Sequence, residues 1–284
     1  MQPRIVVVGS SNTDMVVRLP RLPNKGESII GGEFIMPAGG KGANQAVAAA
    51  RLGAQVTFVA RLGQDVFGDT TLAGFRKEGI ITEYITRDPQ APSGVALIMV
   101  DANGDNLLAV APGANARLST ADIDRAADAI TAADALVLQL EIPLGTVHHA
   151  LSLARRHNVR TVLNPAPACP LPPEMLALVD VLTPNEHEAT LLCGQSSQTI
   201  EQAAGRLLTM GVGTVVVTLG AEGAMIVIEG QQQHIPGFRV HAVDTTAAGD
   251  AFTAALACAL ARGEPMPQAV RFANAVGALT VTKM

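Results

Sequence analysis

Short runs of β-branched and aliphatic residues alternate along the chain with longer stretches in which apolar positions return every three to four residues. The runs at 5–8, 56–60, 135–140, 161–163, 181–183 and 214–218 are almost continuously apolar. That pattern predicts strands buried on both faces of a parallel sheet. Between and after them, 39–52, 65–78, 144–157, 186–192, 200–210, 251–260 and 267–282 have helical spacing. Gly53 and Gly79 stop two of these helices. Strand and helix in alternation predict an α/β fold, with a central, mainly parallel sheet covered by helices on both faces.

Two regions break the alternation. Residues 15–19, 28–34, 93–100 and 107–110 read as strands with no helix between them, separated by turn signals at Pro20 to Gly26 and at Asn103-Gly104. They predict a small separate sheet, a β lid formed by about 13–37 and 93–112, on a single domain spanning 1–284. An isolated sheet needs one face covered. The apolar face of this one should close on a ligand, on a partner subunit, or on both.

Composition narrows the partners. With 284 residues and 48% hydrophobic content a large core is available, and with 3% aromatics it must be built from Ala, Val, Leu and Ile. A net charge of −5 without any Lys/Arg-rich block argues against nucleic acid. Cys169, Cys193 and Cys258 are far apart and form no CxxC, which fits a reduced, cytoplasmic protein. His148, His149, His157 and His187 read as helix-surface residues, and no His/Cys spacing points to zinc. No apolar run approaches about 18 residues, so no membrane span is expected.

The segment Asp244-Thr245-Thr246-Ala247-Ala248-Gly249-Asp250-Ala251-Phe252 carries the strongest chemical signal. Small residues running into a helix leave backbone N–H groups free, with the helix dipole behind them, which makes an anion site. Asp250, on the first turn, is placed to take a proton from a hydroxyl attacking that anion, as in phosphoryl transfer from a nucleotide to an alcohol. Capping and close packing alone could also produce such a segment. In Ala38-Gly39-Gly40-Lys41-Gly42-Ala43-Asn44-Gln45-Ala46 the glycines permit close approach to the backbone, and Asn44 can bond a polyol. Neither GxxxxGK[ST] nor GxGxxG is present, so a nucleotide would not be bound in P-loop or Rossmann style.

Asn12 and Asp14 follow the first strand and Glu141 follows the strand at 135–140, so with Asn44 they share the carboxyl edge of the sheet, where ligands sit. Four such groups suit a small sugar. In Thr183-Pro184-Asn185-Glu186-His187-Glu188, Asn185 is a natural helix cap, and Glu188 could hold water around a metal–phosphate complex. The hydroxyl and glycines of Thr218-Leu219-Gly220-Ala221-Glu222-Gly223 suit the phosphate or ribose of a nucleotide.

With these residues together, the chain resembles the ribokinase-like, or PfkB, family of carbohydrate kinases. Gly39 to Ala46 is similar to the first family signature and Asp244 to Asp250 to the second. Asn164-Pro165-Ala166-Pro167, Thr183 to Glu186 and Pro236-Gly237-Phe238 to Val243 also look family-like, and the resemblance runs from residue 5 to 283. It implies a three-layer sandwich with a β lid, and ATP-dependent transfer to the 5-hydroxyl of D-ribose. Asp250 would be the base, and the N–H groups of Ala247, Ala248 and Gly249 the anion hole. Asn12, Asp14, Gly39, Gly40, Lys41, Asn44 and Glu141, with Asp250, would hold the sugar. Asn185, Thr218, Gly220, Gly223, Gly249 and Asn274 would line the nucleotide site, with Glu188 near Mg²⁺.

An activating K⁺ would be held by Asp244 and Thr246, with backbone oxygens near Thr280 and Lys283. The lid strands would close over the sugar and pair two chains in a homodimer. Members of the family usually continue beyond the helix at 267–282 with a glycine-containing loop and a last helix. The C-terminal end is therefore expected to be truncated relative to the family, which bears on K⁺ and the adenine pocket more than on the sugar. A kinase for deoxyribose, fructose or a nucleoside, and a sugar-binding protein without turnover, are the rival readings.

Overall fold

The computed structural model describes residues 2–194 and 199–283. The chain runs through β1 (Arg4–Val8), β2 (Asn12–Arg18), β3 (Glu33–Ile35) and β4 (Ala38–Gly39) into α1 (Lys41–Arg51), β5 (Gln55–Gly63) and α2 (Val66–Lys77). β6 (Ile85–Asp88), β7 (Gly94–Val100) and β8 (Asn106–Ala111) follow, then a 3-10 turn at Gly113–Arg117 and the short helices α3 (Thr120–Arg125) and α4 (Ala127–Thr131). The alternation continues with β9 (Ala135–Leu138), α5 (Leu144–Arg156), β10 (Arg160–Leu163), α6 (Pro173–Leu176), β11 (Val181–Leu182), α7 (Glu186–Leu192), α8 (Ile200–Thr209) and β12 (Thr214–Thr218). A hairpin of β13 (Gly223–Ile228) and β14 (Gln231–Pro236) then leads to α9 (Ala248–Ala261) and α10 (Met266–Thr280).

Among the described residues nine strands form the main sheet, in the order β14-β13-β12-β11-β10-β9-β1-β5-β6. All its pairings are parallel except β12 with β13 and β13 with β14. The reason for the continuous apolar runs is plain in the packing. On one face, Val6, Val8, Leu136 and Leu138 meet Val147 and Leu151 of α5 and Leu207 of α8. On the other, Ile5, Val7, Phe58 and Val137 meet Ala46 and Ala49 of α1 and Phe252 and Leu256 of α9. Strand residues that alternate in direction must therefore be apolar at every position. α9 is buried at every residue from Asp250 to Leu260. Its alanines let it pack closely among the sheet, α1 and α10.

A second sheet has the order β3-β2-β7-β8, with β4 also paired to β2. Its β2–β7 pairing is parallel, with Asn12 opposite Gly94. This mixed α/β arrangement, a large mostly parallel sheet with a small separate one, is the fold class the patterning predicts. Three details differ. The strand expected at 28–34 is only Glu33–Ile35. Gly31 and Gly32 hold φ of 115° and 110°, outside the extended region, and so interrupt any ladder before it. The helix expected from residue 39 starts at Lys41, because Gly39 belongs to β4 and Gly40 turns the chain at φ 90°. The edge hairpin β13–β14 and the short β6 were not expected as strands. Among the described residues no helix is long and apolar enough to cross a membrane.

β1 lies between β9 and β5, so the strand order reverses at its carboxyl end, leaving a crevice there. α1 begins in that crevice. A Cβ on Gly42 would lie 2.6 Å from the Ser10 nitrogen and 2.7 Å from the Gly9 carbonyl carbon, so α1 touches the β1–β2 turn backbone to backbone. The Ala43 N–H donates to the Ser10 carbonyl at 2.9 Å. Gly42→Ala should force α1 away from the turn and cost about 1–3 kcal/mol of stability by chemical denaturation. An unchanged denaturation midpoint would mean that the contact is slack.

Candidate functional site

The crevice opens into two cavities that meet at Asp250. The larger, about 680 Å³, has a polar floor of Asn12, Asp14, Lys41, Asn44, Glu141 and Asp250. The lid sheet supplies its apolar roof, through Val16, Ile98 and Leu108 among others. The smaller, about 220 Å³, is lined by Asn164, Thr183, Asn185, Glu188 and Thr218 and by the start of α9 from Ala247 to Asp250. Lys41, Thr245, Ala247 and Asp250 border both.

Each floor residue has a backbone reason for its position. Asn12 and Asp14 are two apart on β2 and so share a face. β4 passes close beside Asp14: a Cβ on Gly39 would lie 2.2–2.3 Å from the Asp14 carboxylate, so a side chain there would displace that carboxylate. Gly40 likewise faces the Asn12 nitrogen, 2.7 Å from where its Cβ would be. Glu141 joins the three segments of the crevice, because its carboxylate accepts from the Ser10 hydroxyl and from the Lys41 N–H.

Asp250 is held from α1 by consecutive residues. Asn44 Nδ2 donates to Oδ2 at 2.9 Å, and Gln45 Nε2 donates to Oδ1 at 3.0 Å. Gln45 also reaches Asn164 Oδ1 at 3.3 Å and accepts from Gln139 Nε2 at 2.5 Å. Ser10, Gln45, Gln139 and Asn164 were given no role in the sequence reading. Their signal was a buried-type amide or hydroxyl within or at the end of an apolar strand or within a signature.

Burial raises the Asp250 carboxyl above its ordinary range, with the Glu141 charge in the same sense, while Lys41 and the two amides act downwards. Burial likewise raises Glu188, with the Asn185 N–H and Lys41 opposing. Asp14 is pushed up to about 6, mainly by burial and then by the Glu141 charge.

At the start of α9, Ala247 caps the helix in the left-handed region, φ 60° and ψ 7°. This conformation is strained for a residue with a Cβ, and such strain clusters at functional sites. Among the described residues the N–H groups of Ala247, Gly249 and Asp250 meet no acceptor, while that of Ala248 points to the Thr245 carbonyl at 3.3 Å. The free donors at the small cavity are thus Ala247, Gly249 and Asp250, rather than Ala247, Ala248 and Gly249 as expected.

Asn185 caps α7 in a reciprocal box with Glu188, each backbone N–H donating to the other's side chain at 2.8 Å. One Glu188 oxygen accepts that bond. Gly220 and Gly223 do not line the small cavity; Gly223 instead abuts β14, where a Cβ would meet the Ile235 carbonyl at 2.2 Å. Asn274 is also elsewhere: its amide donates to the carbonyls of Ile235 and Pro236 at 3.0 and 3.3 Å, tying α10 to β14. Asp244 accepts from the Thr246 N–H at 2.8 Å, and both Val243 and Asp244 donate to the Val281 carbonyl. The Thr280 hydroxyl turns back onto the Val276 carbonyl of its own helix, and Lys283 is exposed. A cation here would find one carboxylate and the loop carbonyls, but the Val281 oxygen already accepts two N–H groups.

A sequence model of the pfkB family carbohydrate kinases matches residues 2–284. A ribokinase from Haemophilus influenzae is 41% identical over 286 residues, covering 100% of this chain and 94% of that protein. A deoxyribokinase from Salmonella typhimurium is 39% identical over 282 residues, covering 98% and 92%. The solved structure of Arabidopsis thaliana ribokinase complexed with ribose and ATP superimposes with a TM-score of 0.91 at 34% identity, covering 100% and 94%. The two kinds of relative are so close in identity that overall likeness does not separate their acceptors.

The position of Asp14 yields a pH test. Its ionised form accepts hydroxyl hydrogens, and protonation removes an acceptor and the charge. Affinity for a sugar in the larger cavity should therefore fall as pH drops through about 6. Because its folded pKa is raised, the charged form destabilises the fold, and this penalty is absent below the unfolded pKa and full above the folded one. Asp14→Asn should thus raise the melting temperature at pH 8 while weakening sugar binding. A variant that loses stability and keeps its affinity would remove Asp14 from the sugar site.

Proposed function

The chain belongs to the pfkB family of carbohydrate kinases, and on that premise we propose that it transfers the terminal phosphoryl group of ATP to the 5-hydroxyl of D-ribose, giving ribose 5-phosphate and ADP. The observation that carries this reading is the place of Asp250, buried at the junction of a cavity with a polar floor and a small cavity faced by free N–H groups. Asn12, Asp14, Gly40, Lys41, Asn44 and Glu141 hold the sugar. The nucleotide phosphates enter from the side of Asn185, Glu188 and Thr218.

In the reaction, Asp250 accepts the proton of the sugar hydroxyl as the oxygen attacks the terminal phosphorus, and the bond to the bridging oxygen of ADP breaks. Lys41 borders both cavities and neutralises charge on the transferring group. The N–H groups of Ala247, Gly249 and Asp250, with the dipole of α9 behind them, do the same from the other side. The lid excludes water, which would otherwise compete as acceptor.

Glu188 would hold water around a Mg²⁺ brought by the phosphates, and that ion would supply charge neutralisation beside the small cavity. K⁺ at Asp244 and Thr246 would fix the peptide dipoles of the loop. Asp14, Asn44 and Glu141 favour a ribose-like polyol; 2-deoxyribose is the rival acceptor because of the deoxyribokinase likeness.

ADP release with Mg²⁺-ATP should depend on D-ribose and exceed that with 2-deoxyribose, and it should be greater in K⁺ than in Na⁺. Asp250→Asn should lower turnover by about 10²–10⁴ while leaving ribose affinity nearly intact. A variant with near-normal turnover would sink the assignment of Asp250 as base; Asp244→Ala should abolish any K⁺ preference, and indifference of the wild type to K⁺ would dismiss the cation site. Phe34, Leu97 and Leu107 are large apolar residues exposed on the lid, and we assign them to a homodimer interface. Light scattering should then give twice the chain mass, and a monomer at micromolar concentration would exclude this.

A further inference from the structure

Asn115 lies outside both cavities, in the 3-10 turn Gly113–Arg117, and is 2% exposed. Its side chain nevertheless reaches back across 103 residues to the end of the crevice. The Asn115 Oδ1 accepts the Ser11 N–H at 2.9 Å. Its Nδ2 donates to the Ser11 carbonyl at 3.1 Å and to Asn12 Oδ1 at 2.8 Å. One buried amide therefore meets both backbone groups of Ser11, and those two bonds fix which end is oxygen and which is nitrogen. The third bond transmits that orientation to Asn12.

With its Oδ1 held by Asn115, Asn12 can present only Nδ2 to the larger cavity. Among the described residues Nδ2 has no acceptor. The space for this pairing comes from Gly94, opposite Asn12 in the β2–β7 ladder: a Cβ there would lie 2.3 Å from both Asn115 Nδ2 and Asn12 Oδ1. Two residues on, Asp14 offers the same cavity only acceptors when ionised. A donor and an acceptor side by side match one ligand group, a hydroxyl, which accepts from the first and donates to the second.

We propose that Asn115 is a positioning residue for acceptor specificity: it locks the Asn12 amide with its N–H edge toward the ligand, so that the Asn12–Asp14 edge requires a sugar hydroxyl there. This rests on the sugar-kinase reading. A group that cannot both accept and donate leaves one of the two partners, buried Asn12 or half-buried Asp14, unsatisfied, which is the kind of mismatch that discriminates strongly.

Asn115→Asp is nearly isosteric and keeps the bond from the Ser11 N–H, but its carboxylate can no longer donate to Asn12. The Asn12 amide should then turn to give its N–H to residue 115. D-Ribose affinity, measured by calorimetry without nucleotide, should fall about tenfold or more in Asn115→Asp and in Asn12→Ala. It should fall no further in the double variant than in Asn12→Ala alone, because both act through one group. Additive losses would show that Asn115 acts only on the fold and would overturn the proposal. Asn115→Ser, which removes the same bond without adding charge, repeats the cycle if the aspartate variant is unstable.

A second readout is independent of any sugar. In the free protein the side-chain amide resonances of Asn12 should shift in Asn115→Asp and Asn115→Ser. Unchanged resonances would overturn the positioning role. If the wild type binds no ribose while those resonances shift, the sugar-kinase reading fails and the positioning stands.

Discussion

A carboxylate at the start of a helix packed on every side has to be oriented by its neighbours, and here both oxygens of Asp250 are held by adjacent residues of α1. Successive helix residues point about 100° apart, so Asn44 and Gln45 can meet the same carboxylate only from either side of it. This pins the first turn of α9 against the first turn of α1. The position of α1 is in turn set by backbone: the Gly9–Gly42 contact, the Ala43 N–H on the Ser10 carbonyl, and the Lys41 N–H on Glu141. The geometry of the Asp250 carboxylate thus descends from the carboxyl end of β1. A glycine there is a requirement of approach rather than of flexibility, since Gly42 has ordinary helical neighbours and lacks only the room for a Cβ.

Much of this was legible in the amino-acid sequence, for identifiable reasons. Strands buried on both faces leave continuous apolar runs, so β1, β5, β9, β10 and β12 could be read directly. Asn12, Asp14 and Glu141 could be placed at one edge because each follows such a run, and the structure brings them to one cavity with Asn44. The hairpin β13–β14 was not legible. Gln231 to His234 are exposed on an edge strand, and their polarity reads as a loop although the backbone pairs fully with β13. The true extent of β3 depends on two glycine dihedrals.

Two residues whose partners the local pattern does not show are instructive in the same way. Asn274 has the residue type a nucleotide pocket needs, yet two carbonyls of β14 take its amide. Ala248 belongs to the right run of small residues, yet a turn carbonyl faces its N–H. Whether a polar group is available depends on partners more than thirty residues away, or on a single peptide orientation. Local pattern reports neither. Gln45 and Asn115 were overlooked for the converse reason: each finds its partners only across the fold, Gln45 on the side chains of Gln139, Asn164 and Asp250 and Asn115 on the Ser11 backbone and the Asn12 side chain, so each looks idle until the chain is folded.

The electrostatics of the crevice set a limit on its chemistry. Asp14, Glu141, Glu188 and Asp250 outnumber the cations Lys41 and Arg18 that line the two cavities, and the small cavity has Lys41 alone against Glu188 and Asp250 among the described residues, an arrangement that on its own repels polyphosphate. Nucleotide can enter only with positive charge of its own or against the free N–H groups of α9, so metal and helix dipole are conditions of binding as well as of rate. The same burial that makes the carboxylates repel one another raises Asp250 and makes it a stronger base. Taken alone, burial would overshoot, because a base that holds its proton at working pH accepts none from the substrate. The amides of Asn44 and Gln45 and the charge of Lys41 act in the opposite sense and favour the ionised form. A polar or fully solvated Asp250 would be ionised but weak, and an apolar pocket without the amides would leave it protonated. On the proposed mechanism, proton abstraction at this helix start requires both influences at once, and the first turn of α1 would then not vary independently of the first turn of α9.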